Sequence, residues 1–125
     1  MRWFDKGRKP DPWDEEVQEP IGDLEAAKTI RKFCDAASDI ARNLRSGSGG
    51  PSDKERCARA EKAAMRTTLK IADDLIRDAA LRRIIDLCVT ANNLNAAELL
   101  LRAIQATSIR EEVLDEHTVL RRLPS

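Results

Sequence analysis

Apolar and small residues recur every three or four positions from Leu24 onward, through Ala27, Ile30, Cys34, Ala37, Ala41 and Leu44. That spacing gathers them on one face of a helix. Phe33 and Ile40 widen the stripe. The first helix should begin near Asp23, whose carboxylate can accept from the unpaired amides of a first turn. It should end before Ser46-Gly47-Ser48-Gly49-Gly50-Pro51, a flexible loop at 46–51 by composition.

A second stripe runs Cys57, Ala60 or Ala64, Met65, Leu69, Ala72 and Ile76. Ser52 with Glu55 three residues later has the reciprocal capping pattern of a helix start. No residue between Arg77 and Ala80 breaks a helix outright, so one long helix over residues 53–91 is the alternative. The expectation is a break there into two helices, with Asp78 as the cap of the second. The next stripe is Leu81, Ile84, Ile85, Cys88 and Ala91, closed by Asn92 and Asn93, since Asn tolerates left-handed backbone. Asn95 with Glu98 then opens a helix carrying Ala97, Leu100, Leu101 and Ile104. Ser108 with Glu111 opens a last one through Val113, Leu114, Val119 and Leu120, and Pro124 closes the chain.

The fold predicted is all-α, a four to five helix bundle or short helical-hairpin array with an extended N-terminal arm. Residues 1–22 are the Pro- and charge-rich arm, and 23–125 a single helical domain. The order Leu81, Ile84, Cys88, Asn92, Ala97, Leu101 resembles one hairpin of the tetratricopeptide type, over about a quarter of the chain. It departs at Ile85, where that motif has a small residue, and no copy recurs about 34 residues away. A single hairpin of that style is therefore expected, not a repeat protein.

Composition adds the arm's peculiarity. Of two Trp, two Phe and no Tyr, three aromatics stand within the first thirteen positions: Trp3, Phe4 and Trp13. Pro10, Pro12 and Pro20 deny this stretch a helix. Two destinations suit the aromatics: folding back as a lid on the helical domain, or docking in another chain. Exchange of arms in a homodimer is a third. Asp11-Pro12-Trp13 also resembles the short motif read by clathrin-adaptor appendage domains, which implies a protein partner.

Charge cancels, with 22 basic and 22 acidic residues, and this lowers the expectation of nucleic-acid binding. Arg56, Arg59, Lys62, Arg66 and Lys70 nonetheless step along the second helix as a candidate basic ridge. No stretch reads as a membrane span or secretory signal. Cys34, Cys57 and Cys88, odd in number and far apart, suit reduced thiols in a cytoplasmic protein. The lone histidine, His117, has Leu114 three positions before it instead of a carboxylate, and reads as an exposed imidazole on an acidic helix. Asp35 with Asp39 and Asp73 with Asp74 read as solvated helix surface. No catalytic residue, cofactor or metal is expected. The reading is a small soluble interaction or adaptor protein, not an enzyme, with Trp3, Phe4 and Trp13 as candidate partner-binding residues. Its partner would be another protein or a second copy, with the groove of the hairpin at 81–106 as a possible further contact. The alternative is a nucleic-acid-associated regulator using the ridge.

Overall fold

The structure, a computed structural model, describes residues 11–14 and 21–122. It is all-α. Among the described residues the helices are α1 Asp23–Arg45, α2 Pro51–Thr68, α3 Asp74–Thr90, α4 Leu94–Ala103 and α5 Thr107–Glu116, with single 3-10 turns at Pro12–Asp14 and Thr118–Arg122. The helices α1 and α2 form one antiparallel hairpin, α3 and α4 a second. The two hairpins stand side by side, chiefly through α1 against α3, and α5 packs on the far side of α3. The central position of α3 explains why its burial spreads around the helix, with Leu81, Ile84, Ile85, Leu87, Cys88 and Val89 all in the core. Ile85, bulky where the hairpin motif wants a small residue, is fully enclosed there.

The same two joints occur in both hairpins. Inside each hairpin, the first helix closes with a left-handed residue, Gly47 (φ 85°) after α1 and Asn92 (φ 63°) after α3. The next amide then reaches back five residues: Ser48 N–H donates to Asn43 O at 2.8 Å, and Asn93 N–H to Cys88 O at 2.7 Å. This is the 6→1 closure that satisfies otherwise orphan carbonyls. Between hairpins, a buried isoleucine marks the turn, Ile71 and then Ile104, 33 positions later. Six residues after each stands an arginine whose Nη1 donates to that isoleucine's carbonyl, Arg77 to Ile71 at 3.2 Å and Arg110 to Ile104 at 2.9 Å. Its Nη2 donates to the side chain three residues back, Asp74 or Thr107. Each turn is also held by an aspartate from the first helix of the hairpin just ended. Asp23 accepts from Ala72 and Asp73 N–H at 3.0 and 2.9 Å. Asp78 accepts from Gln105 N–H at 3.0 Å and Ala106 N–H at 2.9 Å. The joints therefore recur, although the helices between them do not match: α2 has 18 residues and α4 only 10.

These joints correct several predicted boundaries. The break after α2 falls at residues 69–73, not 77–80; Asp73 caps α3 by accepting from Ile76 N–H. Leu69 and Ala72 are consequently outside the core, Leu69 at 84% exposure. Asp78 caps no helix of its own, and Asp23 serves the distant turn in place of its own first turn. Helix α2 starts at Pro51, with Asp53 accepting from Gly50 N–H, so Ser52 and Glu55 are not its caps. Helix α4 is capped by Asn93 instead of Asn95. Helix α5 starts after Ala106 without a side-chain cap, so Ser108 does not cap it. Val119 and Leu120 sit in the 3-10 turn beyond it. The expected stop at Pro124 lies outside the described residues.

Residues 11–14 of the arm lie against the first hairpin. The turn Pro12–Asp14 packs on α1 and α2, and Trp13 is only 6% exposed. Asp11 anchors it: Arg56 donates from Nε at 3.0 Å and from Nη2 at 2.7 Å to its two carboxylate oxygens. The indole N–H of Trp13 is buried without an acceptor. On the opposite side of the molecule α5 and the last turn cover α3 and α4, burying Val113 and Leu120.

Candidate functional site: a cleft at the step between the hairpins

Unequal hairpin lengths leave a concavity at the step between the hairpins. The N-terminal starts of α1 and α3 are level, because Asp23 reaches Ala72 and Asp73. With 23 residues against 17, α1 runs past the end of α3. Likewise Asn93, at the start of α4, meets Glu61 in the middle of α2. The first hairpin thus overhangs the second by the six-residue difference between α1 and α3, about 9 Å at about 1.5 Å per residue. The overhang walls a cleft of two adjoining lobes, about 370 and 290 Å³, which share Leu44, Lys54, Ala91 and Asn92. Leu44 is steered there by the loop passing over it; a Cβ on Gly49 would lie 2.7 Å from Leu44 Cδ2, so only glycine fits without displacing it.

At the floor is Glu61, 4% exposed. Its Oε1 accepts from Asn93 Nδ2 at 2.6 Å, and the Cys88 thiol also bonds to it. Burial pushes its carboxyl above the ordinary range, and these two bonds oppose the rise. The thiols share that environment. Burial pushes Cys34 up to about 12 and Cys57 up to about 11, and raises Cys88 as well. All three stay protonated near neutrality, which removes the nucleophilic thiolate form. At the rim, Arg45 and Lys54 are exposed and form no ion pair with any other described residue. No group of three or more His, Cys, Asp or Glu among the described residues is arranged to hold a metal.

The predicted site residues fall elsewhere. Trp3 and Phe4 lie outside the described residues. Trp13 is buried on α1 and α2, so in this conformation its indole covers the first hairpin; Asp11 of the same tripeptide is occupied by Arg56. The basic ridge is divided. Arg56 pairs with Asp11 and Asp53, and Arg59 with Glu55 and Asp14. Lys62 and Arg66 remain exposed on α2, and Lys70 lies beyond the end of the helix, in the following turn. His117 is not on the surface of an acidic helix: it ends α5, is half-buried, and its Nε2 lies 2.6 Å from Asp86 Oδ1 on α3. Asp73 is a cap and Asp39 pairs with Arg42. Sequence reasoning missed the cleft entirely. The one legible hint was an acid, Glu61, among the small residues of a core stripe.

Neither family models, nor curated proteins, nor solved structures match the chain. Among the described residues, no helix is long and apolar enough to cross a membrane.

Proposed function

We propose that this chain is a small cytoplasmic interaction or adaptor protein that binds a protein partner and performs no catalysis. The observation that carries the reading is the open cleft at the step between the hairpins, with Arg45 and Lys54 exposed at its rim and paired with no other described residue. The groups with chemical potential serve the fold instead. Glu61 is held by Asn93, His117 by Asp86, and the thiols are kept protonated. Un-ionised, buried cysteines also suit a reducing compartment. Trp3 and Phe4 are a second proposed contact, with a partner or a second copy of the chain.

The test is affinity capture with the tagged full chain from native lysate, with the eluted proteins and nucleic acids both identified. The expected result is one protein, or a second copy of the chain, retained in stoichiometric amount at physiological salt. Retention of nucleic acid alone, lost steeply as salt rises, would transfer the reading to the ridge at Lys62 and Arg66. A purified chain that turns over a substrate would end the non-catalytic reading.

A further inference from the structure

The cleft's shape and charge narrow what can fill it, given that the chain is a binding protein as proposed above. Its lining mixes apolar side chains, Leu44 and Ala58 from the overhanging hairpin and Val89 and Ala91 from the end of α3, with the polar groups of Arg45, Lys54, Asn92 and Asn93. Its length follows the overhang of the first hairpin, about 9 Å, which matches about three residues of extended chain at about 3.3 Å each. An extended segment turns alternate side chains to one face, so it can set apolar groups on the wall and polar ones at the rim. The exposed charges facing it at the rim, Arg45 and Lys54, are both positive. Glu61, the carboxylate among the lining residues, is buried at the floor with Oε1 already accepting from Asn93, so the exposed charge at the rim is that of the two cations. A basic segment would meet like charge at the rim, a neutral one would leave both cations unused, and an acidic one answers both.

We infer that the cleft between Leu44, Lys54 and Ala91 docks an extended acidic segment of a partner protein, with leucine-like side chains on the wall and carboxylates on Arg45 and Lys54. Surface complementarity of this kind sets specificity and encounter rate.

The experiment uses the isotope-labelled full chain and two capped hexapeptides, one alternating leucine with aspartate and the other leucine with lysine. Amide NMR shifts are followed on titration. The leucine–aspartate peptide is expected to move the amides of Leu44, Arg45, Lys54, Ala58, Ala91 and Asn92, and the leucine–lysine peptide to leave them in place. The double variant Arg45→Glu with Lys54→Glu, at exposed positions, should weaken the acidic peptide about tenfold or more. Ala58→Trp, which fills the wall sterically, should abolish the shifts while the spectrum of the core persists. Absence of shifts at these amides, equal response to both peptides, or indifference to charge reversal would each overturn the assignment. The capture experiment separates this from failure of the broader reading. A protein partner held equally well by the charge-reversed chain sinks the cleft and leaves the interaction function standing. Capture of no protein by either chain sinks the interaction function itself.

Discussion

The two hairpins are joined by the same hardware but built to different lengths. At each inter-hairpin turn there is a buried isoleucine, an arginine reaching back to its carbonyl, and an aspartate from the preceding hairpin accepting two amides. Between the joints, α2 is nearly twice as long as α4. The lesson is that the joints set how hairpins stack, while helix length is left to vary. The variation is what opens the cleft. The joints also differ in environment. Asp78 is 1% exposed, whereas Asp23 lies at the surface end of α1.

The largest effect should come from uncovering the first hairpin. Trp13→Ala removes a core indole and should cost about 3–5 kcal/mol in urea unfolding. Trp13→Phe should cost far less, because the indole N–H has no acceptor to lose. A loss of a few tenths for Trp13→Ala would show that the arm covers nothing in solution.

Next comes the contrast between the aspartates. Asp78→Ala removes a buried carboxylate from two turn amides and should cost about 2–3 kcal/mol. Asp23→Asn should cost less, and its effect should depend on pH. The amides of Ala72 and Asp73 hold Asp23 below the ordinary carboxylate range. Its contribution is thus fully present above the unfolded value of 3.8 and lost as pH falls through the lower folded one. Parallel unfolding curves of wild type and Asp23→Asn should converge only in acid; a gap that persists there would remove the charge from the explanation.

The arginines test whether the joints are equivalent. Arg77→Ala and Arg110→Ala should each cost about 1 kcal/mol, and by similar amounts. A large inequality in thermal midpoints would mean that the recurrence is one of geometry and not of energy. The left-handed pair starts at the same size and ends at the smallest. Gly47→Ala meets no atom within 4 Å, so its cost, about 1 kcal/mol, is backbone alone. Asn92→Gly, at the matching position, should change stability by only a few tenths.

Much of this was legible in one dimension, for particular reasons. The bounds of α1 were readable because its stripe is one-sided and a glycine-rich loop follows it. Asn92 was readable because few residue types accept its backbone. The break after Thr68 was not, since Leu69-Lys70-Ile71 contains no helix breaker; what ends α2 is Ile71 entering the core and Asp23 taking the amides of Ala72 and Asp73, from about fifty residues away. Asp78 misled for a related reason. An aspartate near a helix start resembles a cap, yet its carboxylate serves another helix's turn. The cleft had no local signature, because it is a difference in length between two elements.

By itself, then, the sequence determined the all-helical class and the apolar face of most helices, because those follow from residue spacing and backbone preference within a few turns. Tertiary structure decided which aspartate holds which turn, that Trp13 is a cover, that His117 faces Asp86, and that α2 overhangs α4. Each of these depends on groups brought together from distant positions, where burial and hydrogen-bond partners override local propensity.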